Sequence, residues 1–263
     1  MFALGGNTFP RSQEEFARSF EEGLEIFGSV PGIKGMSGGT FPDIARLEVD
    51  LSGGSAGRRA RVSVRSGTTR PGVRIHELSV RAKPLRLSES HVDFLLEARN
   101  VAFDYDRDAE ERPILTPTFV ESGRITASTS KSHFESLVLA LVRKSAARHE
   151  ITIESVSISL SACGPRDLGF TALITAQKMI FTAKINATGR IHLDDQLTAH
   201  ISELDCTGDG IVGAGAAELL KPYLLKINGK SFPLAALSLG SAQVRNVEIR
   251  PDDPIRFDAD FGG

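Results

Sequence analysis

Segments in which apolar and polar residues alternate recur along this chain and limit its possible folds. Residues 46–51 alternate strictly, and residues 255–261 do so as well, which is the period of a β-strand with one buried face. There are about ten strand-like segments, and a sheet of that size must curl, close or split because its strands twist. We therefore expect a large sheet that curls rather than a flat one.

Two of the long strand-like segments change phase in the middle. The apolar residues switch parity at His76-Glu77 in the first segment and at Glu154-Ser155 in the second. One extra residue restores the facing of a strand after such a slip, so a β-bulge is predicted at each place. Bulges bend a strand and raise its twist, and the sheet is therefore expected to be strongly curved.

Three segments have the spacing of helices. The first covers about residues 12–28 and the second covers residues 132–142, and each opens with a Ser-x-x-Glu capping box, at Ser12 and at Ser132. The third covers about residues 211–225. Helices between runs of adjacent strands predict an α+β fold, here a mainly antiparallel sheet curled around a helix. After the second helix, strands are predicted over about 151–162, 168–176, 178–187, 189–194 and 196–206.

Composition is that of a globular protein. Hydrophobic residues make up 41% of the chain and charged residues 24%, with fifteen Phe and no Trp. No break in composition divides the chain, so residues 1–263 are expected to form a single domain. The first residues lack the pattern of a signal peptide. The expected location is therefore the cytoplasm, or an exported or membrane-peripheral one if a longer natural chain carries a leader.

No catalytic or metal-binding motif is complete. His192 and His200 could meet on antiparallel strands, but no third ligand stands at a recognisable spacing for zinc. The acidic run from Asp104 to Asp108 begins like a calcium loop, yet Ala109 occupies the required Gly position, and a solvated acidic loop is expected instead. We therefore predict no enzymatic activity, no metal and no cofactor.

One stretch of the chain is strongly basic. From Arg58 to Arg86 there are nine Lys or Arg residues and one acid, Glu77, in a chain whose net charge is −2. Such asymmetry favours docking on an anionic membrane or lipid headgroup, with Arg58, Arg59 and Arg61 as contact residues. Nucleic acid is not expected, because no reader motif or interleaved aromatic residues accompany the charges. A merely solvated outer face of a sheet is the alternative.

The second half of the chain resembles a known family. The order of its elements over about residues 70–261 is similar to that of the bacterial LmeA-type phospholipid-binding proteins, relatives of the tubular lipid-binding (TULIP) superfamily of the bactericidal/permeability-increasing protein. The segments that carry the resemblance are the strand 123–129, the helix 132–142, Gly208-Asp209-Gly210 with the small-residue helix after it, and the segments 227–234, 237–240 and 244–261.

The resemblance implies a long antiparallel sheet rolled around a helix, with an apolar groove or tunnel for acyl chains. It implies non-catalytic binding or transfer of a lipid or another long apolar ligand. A structural or protein-interaction module with a closed core is the alternative. The residues expected to line the apolar site are Phe134, Leu137, Val138, Leu141, Leu220 and Leu224.

Overall fold

The structure is a computed structural model, and it contains two sheets, each belonging mainly to one of two compact units. The first unit comprises residues 1–128, 236–246 and 258–263, and the second comprises residues 129–235 and 247–257. The residues that the structure describes are 2–55, 69–87, 90–146, 152–178, 181–194, 198–210, 213–215, 217–218, 228–229, 231–233 and 242–263.

In the described ranges the first sheet has eight strands and the second has five. The strands of the first are β1 (Phe2–Ala3), β2 (Gly32–Ser37), β3 (Asp43–Asp50), β4 (Arg70–Leu87), β5 (Ser90–Arg107), β6 (Pro113–Thr129), β12 (Gln243–Arg250) and β13 (Ile255–Gly262). Those of the second are β7 (Thr152–Gly164), β8 (Asp167–Lys178), β9 (Phe181–Leu193), β10 (Thr198–Gly208) and β11 (Ser231–Pro233).

Both sheets are open in the part of the chain that the structure describes. The first runs in the order β12-β13-β6-β5-β4-β3-β2, with β1 beside β6, and the second runs in the order β11-β10-β9-β8-β7. The neighbours β3 and β4 are parallel, whereas β4, β5 and β6 form antiparallel pairs. The α+β class and the mainly antiparallel pairing are as predicted, but the described strands divide between two sheets instead of forming a single one.

Helix α1 (Gln13–Leu24) closes the core of the first unit. It begins where predicted, since Oγ of Ser12 accepts a hydrogen bond from the backbone N–H of Glu15 at 3.2 Å, and a 3-10 turn over Glu25–Phe27 ends it. Phe16 is completely buried within a cluster that includes Leu47 and Ile75. An aromatic side chain at the centre of this cluster supplies much of the apolar area that stabilises the unit.

The predicted bulge at His76-Glu77 is wrong. The pairing of β4 with β5 keeps one register from Ile75 opposite Val101 to Glu77 opposite Arg99. The buried side of the strand nevertheless changes there, as the alternation indicates: Val73 and Ile75 are buried before this point, and Ala82 is buried after it on the other parity.

The irregularity at this place lies in the neighbouring strand. Asn100 of β5 has a φ of +47°, in the left-handed region that few residues other than Gly, Asn and Asp adopt. Its side chain accepts a hydrogen bond from His76 Nδ1 at 2.8 Å and donates one to Glu121 of β6. A change of backbone conformation in β5, rather than an inserted residue in β4, therefore accompanies the switch.

The predicted bulge at Glu154-Ser155 is confirmed. The register of β7 against β8 shifts between Ile153 and Ser155, and the buried residues change parity from Ile153 to Val156. Two predicted strands, 178–187 and 189–194, are in fact the single strand β9. Gly189 therefore lies within a strand and not in a turn between two strands.

Helix α2 (Lys131–Ala146) begins one residue earlier than predicted. Its cap is Ser130, whose Oγ accepts from the backbone N–H of His133 at 3.2 Å, so the capping box assigned to Ser132 is wrong. Glu135, the acid of that box, instead accepts a hydrogen bond from the backbone N–H of Ile158 at 2.7 Å. The acid therefore joins the helix to strand β7.

The third predicted helix lies largely outside the described residues. Where its beginning is described, at 213–215 and 217–218, the chain is helical. Ala217 is buried there, and its carbonyl oxygen accepts a hydrogen bond from the buried thiol of Cys206 at 3.3 Å. Across the described ranges, no helix has both the length and the apolar character required to traverse a bilayer.

Candidate functional site

The apolar side of helix α2 packs on one face of the second sheet. The half-buried side chains of the helix that make this contact are Phe134, Val138, Leu139 and Val142. They meet a face of the sheet built from small or β-branched residues, namely Ile153, Val156, Ile158, Ala172, Ala176, Ile185 and Ala187. Helix and sheet together form a continuous apolar layer, which we call the apolar layer of the second unit.

Leu137 extends the apolar surface of α2 beyond its contact with the sheet. At about 100° per residue, Leu137 lies about 60° around the helix from Phe134, whereas Val138 and Val142 lie on the other side of Phe134. Leu137 is half-buried, and it is not among the described residues that pack on the sheet cluster. The helix therefore offers an apolar side chain that the described sheet contact does not use.

The apolar layer is covered less completely than the core of the first unit. Among the described residues, the largest fully buried side chains belong to the first unit, with Leu193 as the exception. In the second unit the sheet face is rich in Ala, and the large side chains of α2 that the structure describes are only half-buried. The described part of the layer therefore presents apolar side chains that its described contacts bury only in part.

The structure describes only some of the predicted site residues. Phe134, Leu137 and Val138 lie on α2 as expected, and Leu141 lies on the same helix, but its side chain is outside the described atoms. The remaining predicted residues lie outside the described part of the chain: Leu220, Leu224, Arg58, Arg59 and Arg61.

A row of polar side chains crosses the opposite, solvent-facing side of the second sheet. His192 of β9 pairs directly with Asp167 of β8 on one side and with His200 of β10 on the other, and His200 pairs with Ser231 of β11. The two histidines therefore meet on antiparallel strands, as their spacing allowed, with ring centroids 6.4 Å apart. His192 Nδ1 lies 2.8 Å from a carboxylate oxygen of Asp167.

Part of this row has the order hydroxyl, imidazole, carboxylate. Ser231 Oγ lies 2.9 Å from Nδ1 of His200, and Nε2 of His200 lies 2.8 Å from Oδ2 of Asp194. The other oxygen of Asp194 accepts the backbone N–H of Thr198 at 2.8 Å, which fixes the carboxylate. With the proton on Nε2, the other ring nitrogen can accept the proton of the serine hydroxyl.

A depression of about 370 Å³ lies on the first sheet, where β3, β4 and β5 adjoin. It is lined by Asp50, Ser52, Arg81, Lys83 and Leu95. The guanidinium of Arg81 donates to Oδ2 of Asp50 from Nε at 3.2 Å and from Nη2 at 3.0 Å. Asp50 of β3 and Arg81 of β4 are register partners in this parallel pair of strands, although 31 residues separate them.

Backbone groups also hold the carboxylate of Asp50. Its Oδ1 accepts the N–H of Ser52 at 2.9 Å, and Oγ of Ser52 accepts the N–H of Lys83 at 2.8 Å. Burial by itself would raise the pKa of Asp50, but the hydrogen bonds from Ser52 and Arg81 outweigh it, so the pKa lies below its ordinary value. Asp50 is therefore a fixed anion that orients a half-exposed Arg81.

Comparison with known protein families, with curated proteins and with solved structures finds no match to this chain. Among the described residues, no three side chains of His, Cys, Asp or Glu come together as a metal site would require. Both polar arrangements, at Asp50 and at His200, went unrecognised in the sequence. The pairing of His192 with His200 was the one signal that pointed to either of them.

Proposed function

We propose that this protein binds a lipid or another long apolar ligand without catalysis, with the acyl chain against the apolar layer of the second unit. The observation that carries the proposal is the half-buried apolar side of α2 over an Ala-rich sheet face, which Leu137 extends beyond the contact with the sheet. Each methylene that such a surface removes from water contributes about 0.8 kcal/mol. A chain of several methylenes is therefore retained without any polar contact.

The resemblance to the LmeA-type proteins supports the same function, and it adds a finer structural proposal. In that proposal the sheet rolls around α2 and encloses a tunnel for the acyl chain. The confirmed bulge in β7 favours this geometry, because a bulge bends the strand and increases its twist. Transfer between membranes would follow if the ligand can enter and leave the tunnel.

The test is uptake of an apolar chain by the purified protein. Native mass spectrometry should detect co-purified lipid, and a fluorescent fatty acid should bind in solution. Leu137→Arg should weaken fatty-acid binding at least tenfold, because a charge without a partner in an apolar site is costly. The position avoids the sheet contact, so the fold should survive.

Ser136→Arg is the matched control. It introduces the same side chain one position earlier, about 160° around the helix from Phe134, where the Ser136 hydroxyl donates to the carbonyl of Ser132 at 2.9 Å. Binding in this variant should equal that of the unmodified protein. Equal weakening in both variants, or no uptake of any apolar chain, would contradict the proposal.

The hydroxyl–imidazole–carboxylate arrangement favours a second candidate function, ester hydrolysis. Ser231 Oγ attacks the carbonyl carbon of an ester while its proton passes to Nδ1 of His200, and Asp194 holds the ring through Nε2–H. The alcohol leaves with that proton and an acyl-serine remains. Water then adds to the acyl carbon, giving up a proton to His200, and the carboxylic acid is released as Ser231 regains its proton.

A fluorophosphonate probe tests this candidate, because it reacts only with an activated serine. Labelling followed by peptide mass spectrometry should locate the probe on Ser231, and Ser231→Ala should abolish it. Ser202→Ala is the control, since Ser202 is an exposed serine on the neighbouring strand β10. An unlabelled Ser231, or equal labelling after Ser231→Ala, rules the candidate out.

A further inference from the structure

We infer that the depression between β3, β4 and β5 binds an amphiphilic anion, with a phosphate or carboxylate group on Arg81 and Lys83 and the first part of its alkyl chain on Leu95. The site lies entirely within the first unit. It therefore does not depend on the apolar layer of the second unit, and it can be tested separately.

The charges that line the depression favour an anion. One carboxylate, that of Asp50, faces two cations, Arg81 and Lys83. Both oxygens of the carboxylate already accept hydrogen bonds, from Ser52 and from Arg81. An incoming cation would compete with these bonds, whereas an anion meets an excess of positive charge.

Arg81 is preorganised for a second acceptor. Its contact with Asp50 comes from Nε and Nη2, so it uses two of the five N–H donors that a guanidinium carries. The Arg81 side chain is still 54% exposed, while that of Asp50 is 7% exposed. A buried partner therefore fixes the arginine, and the group retains donors on its solvent-facing side, which lowers the entropic cost of binding.

The second cation and the apolar contact come from the same pair of strands. Lys83 lies two residues beyond Arg81 on β4, and its backbone N–H is fixed by Ser52. Leu95 of β5 is the register partner of Arg81 and is half-buried. An ammonium, a guanidinium and an apolar side chain in one depression match an ionic headgroup joined to a hydrocarbon.

The size of the depression fits this class of ligand. Its volume of about 370 Å³ lies at the lower end of the range of about 300–1,000 Å³ found for small-molecule sites. A single phosphate would leave the part of the depression near Leu95 without a contact. The structure therefore favours an anion that carries an alkyl chain over free inorganic phosphate.

Calorimetric titration with octyl phosphate tests the inference, with inorganic phosphate and octyltrimethylammonium as the comparison ligands. Octyl phosphate should bind more tightly than inorganic phosphate, and the cation should not bind. Lys83→Gln should weaken octyl phosphate about tenfold, since one charge-assisted contact is lost. Leu95→Ala should weaken octyl phosphate and leave inorganic phosphate unchanged.

Arg86→Gln is the matched control, because Arg86 belongs to the same basic strand but does not line the depression. Arg81→Gln should also weaken binding of octyl phosphate, but it removes the ion pair of buried Asp50 and so can unfold the protein. If it does, Lys83→Gln remains the test of the site, because it changes only an exposed side chain. Equal affinity for octyl phosphate and inorganic phosphate, or equal effects of Lys83→Gln and Arg86→Gln, would overturn the inference. Loss of fatty-acid uptake in Leu137→Arg with octyl phosphate binding intact would separate this site from the apolar layer.

Discussion

Asp108 shows how a single buried carboxylate organises a turn of the first unit. Its Oδ1 accepts the backbone N–H groups of Glu110 at 3.0 Å and Arg112 at 2.8 Å, and its Oδ2 accepts Nε of Arg112 at 2.8 Å. The expectation of a solvated acidic loop is therefore wrong for Asp108, which is completely buried. Burial by itself would raise the pKa of Asp108, but the hydrogen bonds from Arg112 and Glu110 outweigh it and lower the pKa.

This lowered pKa predicts that Asp108 stabilises the fold only while it is ionised. The stabilisation is present above the pKa of the unfolded chain, about 3.9, and is lost as the pH falls through the lower pKa of the folded state. Asp108→Asn should reduce the free energy of unfolding at pH 7 by about 1–3 kcal/mol. Its effect should shrink as the pH is lowered below about 4, as measured by urea unfolding at several pH values.

Asp93→Asn is the control for this prediction, because Asp93 is an exposed aspartate on β5. Its effect on the free energy of unfolding should be small at every pH. If the loss caused by Asp108→Asn were the same at pH 7 and at pH 3, ionisation of Asp108 would not be the source of the stability.

At the scale of elements, Arg143 links helix α2, which packs on one face of the second sheet, to the edge of that sheet. Strand β7 is the last of the described strands in the sheet, and an edge strand exposes backbone groups that a neighbouring strand would otherwise satisfy. Arg143 of α2 donates to the carbonyls of Ile153 at 2.8 Å and Glu154 at 3.0 Å. These carbonyls belong to the bulge, so the helix satisfies the backbone where the ladder is interrupted.

Arg143→Met should therefore destabilise the second unit by about 1–3 kcal/mol, because two backbone carbonyls lose charged donors. Arg190→Met is the matched control: Arg190 forms an exposed ion pair with Glu203 at 2.9 Å, and such pairs contribute about 1 kcal/mol or less. Urea unfolding of both variants measures the difference. Equal destabilisation would mean that the contact with the bulge contributes no more than a surface ion pair.

At the scale of the whole molecule, charge is distributed unevenly along the chain. The stretch from Arg58 to Arg86 has a surplus of eight positive charges, although the net charge of the protein is −2. Five of its nine basic residues are described, and two of these, Arg81 and Lys83, line the depression. Exposed cations close to an anionic bilayer contribute about 1 kcal/mol each and are screened by salt.

We therefore predict binding to anionic vesicles that weakens steeply with added salt, and poor binding to neutral vesicles. Reversing Arg58, Arg59 and Arg61 to Glu should lower vesicle binding in a co-sedimentation assay while leaving fatty-acid uptake intact. A control with the same change in net charge reverses three exposed arginines elsewhere, Arg18, Arg99 and Arg245. Equal loss in both variants would assign the binding to net charge alone.

Local periodicity was sufficient to predict many of the elements. The sequence predicted strands β3 and β13 and helices α1 and α2, because the period of a strand or a helix is visible in residues that lie close together in the sequence. The bulge in β7 was found for the same reason. No strand was expected over residues 90–107, where β5 lies, because its apolar residues change parity near Asn100 and blur the alternation.

Other features depend on contacts between distant residues. Gly189 looks like a break between strands, but it lies within β9, where a side chain would collide with Leu204 and Phe170 at 2.7 and 2.8 Å. The ion pair of Asp50 with Arg81 and the hydrogen bond of Ser231 with His200 each join residues 31 positions apart. Alternation and helical spacing, which the sequence contains by itself, determined which segments are strands and helices. Only the tertiary structure decided which strands became neighbours, and therefore which polar side chains meet, because register between distant strands is set by packing and not by local pattern.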